Sequence, residues 1–175
     1  MQQAPPPHLM AAVTPGLAGR RTTEALGPRQ AEVQGFVKRF LVSFENLDLD
    51  AFMACFSDRA TVFFPVPEPP GRYSGKAAVR AHFEKVFSDI RKASPASAPP
   101  FHRLQAEDLE IQFLGADAAI VTFHLRNQAR IARRTLALTR SGGKWEIAHL
   151  HASNVPVDEP PAAAPLPASP HPDHP

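Results

Sequence analysis

Apolar positions change their period along this chain, and the change divides it into a helical half and a strand half. Val33, Phe36, Val37, Phe40, Leu41 and Phe44 follow the i, i+3, i+4, i+7 spacing of a helix with one buried face. Asn46-Leu47-Asp48 breaks that pattern and offers a cap to a short second helix carrying Leu49, Phe52, Met53 and Phe56. Ala60-Thr61-Val62-Phe63-Phe64 has the β-branched and aromatic character of a strand, and Pro65, Pro67, Pro69 and Pro70 predict an irregular loop after it. Ser74 is expected to cap a third helix whose stripe is Val79, Phe83, Val86, Phe87 and Ile90.

Beyond the loop at 91–100 the period becomes two. Leu109, Ile111 and Phe113 alternate with acidic and polar residues. Ala119, Val121, Phe123 and Leu125 do the same after a turn at Gly115-Ala116-Asp117. Two further strands, about 131–139 and 144–153, flank the turn Arg140-Ser141-Gly142-Gly143. Helices first and consecutive hairpins afterwards predict an α+β fold, with three helices packed on one face of a curved antiparallel sheet. With Arg140 paired to Gly143, Leu138 faces Trp145, Leu136 faces Ile147, Arg134 faces His149 and Ala132 faces His151. A tight turn at Gln128-Ala129 sets Phe123 beside Arg134.

Composition sets the limits of that domain. The chain has 175 residues, 43% of them hydrophobic, enough for one sizeable core. Five of its twenty prolines fall in 1–30 and eight in 156–175, where no apolar period is present. The expected organisation is a disordered segment at 1–29, a folded domain at 30–155 and a disordered proline-rich tail at 156–175. No apolar run is long enough to span a bilayer, so no membrane partner is expected. Pro5-Pro6-Pro7 and Pro15-Gly16 interrupt the early sequence where a secretory signal would need its apolar stretch, so a cytoplasmic location is expected. The single cysteine, Cys55, sits among Phe52, Met53 and Phe56 and reads as a buried, inert thiol. The net charge of +2 is mild. Arg126, Arg130, Arg133, Arg134 and Arg140 cluster without interleaved aromatic residues, so no nucleic acid partner is expected.

Chemistry concentrates on the last strand. Trp145, Ile147, His149, His151 and Ser153 recur at every second position, so one face runs from apolar to titratable. His149 and His151 are the candidate catalytic bases, because an imidazole titrates near neutrality without much tuning. A histidine on a mostly apolar strand face is more often a satisfied core residue. Arg134 is the candidate anchor for a ligand carboxylate or enolate, with Phe123, Phe64 and Trp145 as apolar ligand contacts. The His-x-His spacing would need a third ligand, Glu68 or His102, to hold a metal, and no metal is expected. No cofactor is expected either, since no glycine-rich phosphate loop is present, and no Gly-x-Ser-x-Gly context marks a serine nucleophile. His82 on the polar side of its helix and His102 at a loop edge have weaker claims. Asp58 reads as a turn or cap residue, and His171 and His174 as solvated.

The run Cys55-Phe56-Ser57-Asp58-Arg59-Ala60-Thr61-Val62-Phe63-Phe64-Pro65, the segment Tyr73-Ser74-Gly75-Lys76-Ala77-Ala78-Val79-Arg80-Ala81-His82-Phe83 and the closing 143–153 strand appear in a fixed order and spacing. In that order the chain resembles the nuclear transport factor 2-like superfamily, especially its SnoaL-like and ketosteroid-isomerase-like branches. The resemblance implies a cone-shaped cavity between helices and bent sheet and a homodimer formed through the outer sheet face. It also implies functions that range from isomerases, cyclases and dehydratases to binding and assembly modules, so fold alone selects none. Residue by residue, the isomerase base falls on Phe64, the helix-borne tyrosine is missing because the one tyrosine is Tyr73, and the second oxyanion donor falls on Thr135 or Arg134. The sequence therefore favours a small-molecule-binding or assembly domain over an isomerase-, cyclase- or dehydratase-type enzyme working by histidine proton transfer, and leaves catalysis open.

Overall fold

The computed structural model describes residues 27–65, 71–126 and 130–156. Glu68, the Gln128-Ala129 turn, His171 and His174 lie outside these residues, as does most of both terminal segments.

Helix α1 (Pro28–Glu45) starts two residues before the expected domain edge, with Pro28 in the first turn, where its missing N–H removes no helical bond. It buries Val33, Phe36, Val37, Phe40 and Leu41, the stripe legible in the sequence. Leu47 adopts a φ of 53° at the break. The Asp48 carboxylate accepts from the Ala51 N–H at 3.0 Å and so starts α2 (Leu49–Met53). Phe56 does not belong to that helix. It opens β1 (Phe56–Phe63), which carries the chain to a short strand β2 (Arg72–Ser74) that had been expected to be loop. Ser74 consequently does not cap α3 (Lys76–Ala93): it pairs with Thr61 in the sheet, and Gly75, at φ +86°, takes the N-cap position.

Strands β3 (Ala106–Phe113), β4 (Ala118–Arg126), β5 (Arg130–Ser141) and β6 (Lys144–Pro156) complete one six-stranded sheet in the order β2-β1-β6-β5-β4-β3. All neighbours are antiparallel except β1 and β6, which run parallel. The core lies between the three helices and one face of this α+β sheet. At its centre Phe52 is fully buried, with ring centroids 4.5 Å from Phe83, 5.0 Å from Phe40 and 5.2 Å from Phe56.

The β5–β6 register differs from the expected one in two separate ways. The Gly142-Gly143 turn, with φ of +56° and +79°, is closed by Ser141 and Lys144 rather than by Arg140 and Gly143, which moves the pairing by two residues and leaves the faces unchanged. Leu138 pairs with Ile147 but Ala137 pairs with His149, so Ala148 is an extra residue, a β-bulge, on β6. That single residue reverses the faces for the remainder of the strand. Trp145 and Ile147 point into the core, but beyond the bulge Leu150 and Ala152 do so instead, and His149 and His151 are turned to the outer face.

Candidate functional site

A pocket of about 440 Å³ opens between the helices and the sheet. Its apolar wall is the helix layer, with Phe40 and Phe44 of α1, Phe52 of α2 and Phe83 and Val86 of α3. Its floor is the inward face of β4, β5 and β6. Phe123 and Arg134 are direct cross-strand partners there, and Arg134 pairs on its other side with Ala152. The small side chains of Ala132 and Ala152 leave the space in front of the guanidinium open.

Arg134 is the unusual group. It is partly buried, its Nη1 donates to the backbone carbonyls of Arg133 at 2.9 Å and Ser153 at 3.3 Å, and no described carboxylate forms an ion pair with it. Burial pushes its pKa down from the ordinary arginine value, with no opposing charge to restore it. A guanidinium has five N–H donors in a rigid fork, so most of its hydrogen-bonding capacity is available to a ligand. Of the other arginines that line the pocket, Arg126 is already paired with Glu107 at 3.2 Å and Arg103 is exposed.

The sequence-derived candidates separate into two groups. Arg134, Phe123 and Phe64 line the pocket together. His149, His151 and Trp145 do not. The Nδ1 of His149 lies 2.7 Å from the Thr61 hydroxyl on the outer face, where His149 and His151 flank the exposed Phe63 ring at 5.6 and 5.8 Å. Burial, followed by the neighbouring His151, holds the His149 pKa below the usual histidine value. Trp145 is a structural anchor at the hairpin end. Its indole N–H donates to Glu32 of α1 at 3.4 Å, the Arg29 guanidinium stacks 5.7 Å from its ring, and Glu32 also pairs with Arg140 at 3.1 Å.

Three other groups find their places. Cys55 is buried, as expected, and burial pushes its thiol pKa up. Asp58 is an exposed β1 residue 3.8 Å from Lys76. No group of three or more potential ligand residues that could hold a metal is present among the described residues.

His82 is the pocket residue that sequence reasoning undervalued. Its ring stacks on Phe64 with centroids 3.9 Å apart and planes 22° from parallel, and Tyr73 closes on it at 4.6 Å. The helical period puts His82 one position before the buried Phe83, on the flank of the stripe, and Phe64 and Tyr73 reach across to enclose it. The usable signal was the aromatic composition of the two segments that pair as β1 and β2. His102 stands at the exposed rim of the same pocket, its ring 6.5 Å from that of Phe44.

This layered arrangement, three helices over one face of a strongly bulged sheet, is the nuclear transport factor 2-like fold, also described as cystatin-like. Residues 33–158 match the family model of the SnoaL-like domain, and the chain belongs to that family. It is similar to an NTF2-like protein of unknown function from Pseudomonas putida, with 20% identity and a TM-score of 0.59 over 71% of this chain and 85% of that one. A ketosteroid isomerase-like protein from Erwinia carotovora atroseptica gives 18% identity and a TM-score of 0.60 over 74% and 98% of the two chains. A protein with a cystatin-like fold from Caulobacter vibrioides gives 14% and 0.61 over 74% and 91%. At these identities the likeness establishes the fold and nothing finer. No curated protein is significantly similar in sequence. Among the described residues no helix is long and apolar enough to cross a membrane.

Proposed function

We propose that this SnoaL-like domain binds a small, mostly apolar molecule bearing one anionic group, with Arg134 as its anchor. The observation that carries the reading is a partly buried guanidinium without a described carboxylate partner, lining a pocket whose helix-layer wall is mostly phenylalanine and aliphatic side chains. A desolvated charge is costly unless a counter-charge meets it, and an anion donated by a ligand removes that cost. Phe123 beside the guanidinium and Phe64 on the far wall supply apolar contact for the body of the ligand. Phe64 stands where the ketosteroid isomerases carry their base, which favours binding over their chemistry.

Benzoate and benzyl alcohol make a matched pair of probes, alike in their apolar body and different in charge. Calorimetric titration should show benzoate binding more tightly to the wild type. Arg134→Met should weaken benzoate by about tenfold or more, the value of a hydrogen bond to a charged group, and leave the alcohol unchanged. Equal affinities for the two probes, or an unchanged benzoate affinity in Arg134→Met, would remove the anchor from the reading.

We also propose that the outer sheet face pairs with a second copy of the chain. Phe63 is 37% exposed there, and Thr122, Thr135 and Ala137 extend the face across neighbouring strands with small or half-polar groups. Sedimentation should give about twice the 19.1 kDa chain mass, and Phe63→Glu should return the protein to monomer. A wild type that stays monomeric at all concentrations rules the pairing out.

A further inference from the structure

We infer that His149 and His151 of two copies of this chain together hold one zinc-like divalent ion on the outer face of the sheet. The inference rests on the reading that this face pairs with a second copy, and it names the ion that the pairing encloses.

Each copy supplies half of a site. Beyond the Ala148 bulge His149 and His151 stand two residues apart on one side of β6, which sets their backbones about 6.5 Å apart. The register partner of His149 on β1 is Thr61, whose hydroxyl oxygen lies 2.7 Å from Nδ1. With the Nδ1–H donated to that oxygen, the ring is fixed and its lone pair is on Nε2, the arrangement that orients ligating histidines in metal sites. His151 is exposed, and neither imidazole forms an ion pair with a described carboxylate. The residues opposite the pair are Thr61 and Phe63 on β1 and Ala137 and Thr135 on β5, so neither flanking strand sets an acid against either ring. The flanking arginines, Arg72 of β2 and Arg133 of β5, are exposed and stand in register with Phe63 and Ser153 rather than with a histidine.

Two donors leave a tetrahedral ion half coordinated, and the second copy completes it. Phe63 marks where the copies meet. It is the exposed large apolar side chain of this face among the described residues, and its ring lies 5.6 Å from that of His149 and 5.8 Å from that of His151. Burying Phe63 against its own copy about a two-fold axis therefore brings both imidazole pairs to that axis. Facing sheets pack about 10 Å apart, and an imidazole standing off its strand spans roughly half of that gap, so an ion at the middle is within reach of all four rings. Four neutral nitrogens in a tetrahedral set, with no thiolate or carboxylate among them, suit zinc and its spectroscopic substitute cobalt(II).

The test uses the full-length protein, stripped of metal with a chelator and kept at about pH 7.5, where a free imidazole is neutral. Zinc chloride and cobalt(II) chloride are the probes. Sedimentation equilibrium reads the dimer dissociation constant, and calorimetry reads the stoichiometry. Wild type should bind one zinc per two chains. At free zinc about a hundredfold above its dissociation constant, the dimer should tighten by about a hundredfold. Cobalt(II) should give the intense visible absorption of a tetrahedral centre. His151→Gln removes one ligand from each copy, so it should lose the zinc response and the cobalt spectrum while keeping the dimerisation of the metal-free wild type, with far-UV circular dichroism as the check on folding. His171 and His174 are retained in that variant, so its loss of zinc assigns the site to β6. A wild-type dimer indifferent to zinc, one ion bound per chain, an octahedral cobalt spectrum or a zinc response kept in His151→Gln overturns the shared site and leaves the pairing standing. A wild type that stays monomeric both with and without zinc overturns the pairing and the site with it.

Discussion

Deleting Ala148 tests the feature that decides which side chains face the pocket. Without the extra residue the β5–β6 ladder closes in continuous register, and one part of β6 must present its other face to the core. If the part after the bulge turns, Leu150 and Ala152, now 4% and 6% exposed, become solvent-facing, and His149 and His151 are driven inward. Losing the burial of the leucine costs about 1.5–3 kcal/mol. Each imidazole buried without a partner adds roughly 1–3 kcal/mol. If the part before the bulge turns instead, Trp145 and Ile147, 7% and 0% exposed, are both lost from the core, at about 3–6 kcal/mol together. The less costly route is therefore a loss of about 3–6 kcal/mol, a large share of the roughly 5–15 kcal/mol that holds a domain of this kind folded. Urea unfolding followed by far-UV circular dichroism measures it. Ala148→Ser keeps the residue count and should change stability by no more than about 0.5 kcal/mol. A deletion variant within about 1 kcal/mol of wild type would refute the argument that the bulge sets the two faces of β6.

Two further outcomes follow from the same geometry. His82 and His149 are both held below the usual histidine pKa, so the folded state binds fewer protons than the unfolded chain; their contribution to stability is complete above about pH 6.5 and falls as the pH drops through that value toward their folded pKa. Urea midpoints should therefore decline between about pH 7.5 and about pH 5.5, less steeply in His149→Gln, and a flat profile would contradict the burial that causes both shifts. Ala152→Leu extends a side chain into the pocket beside Arg134, so it should abolish benzoate binding at a stability cost of no more than about 1–3 kcal/mol, and retained binding would place the ligand elsewhere.

What the sequence made legible and what it concealed divide along the range of the interactions involved. The helical stripes of α1 and α3 and the alternation in β3 and β4 are written in contiguous residues, and each appears where the period puts it. The Phe123–Arg134 pair follows from a short connection between adjacent strands, and both residues line the pocket. The face of His149 could not be read this way. It depends on β1, which runs parallel to β6 from a distant part of the chain, meets Ile147 through Phe56 and His149 through Thr61, and bulges between those two contacts. The Thr61 hydroxyl lies 2.7 Å from His149 Nδ1 on the outer face, a partner that no local pattern announces. Period two is sound only while every residue is paired, and one unpaired alanine is enough to reverse it. The same alanine brings Ala152, rather than His151, beside Arg134. An imidazole there would fill the space and hydrogen-bond the floor, whereas a methyl group leaves the guanidinium open to a ligand. The displacement of both histidines from the pocket and the availability of Arg134 within it are thus two consequences of one inserted residue.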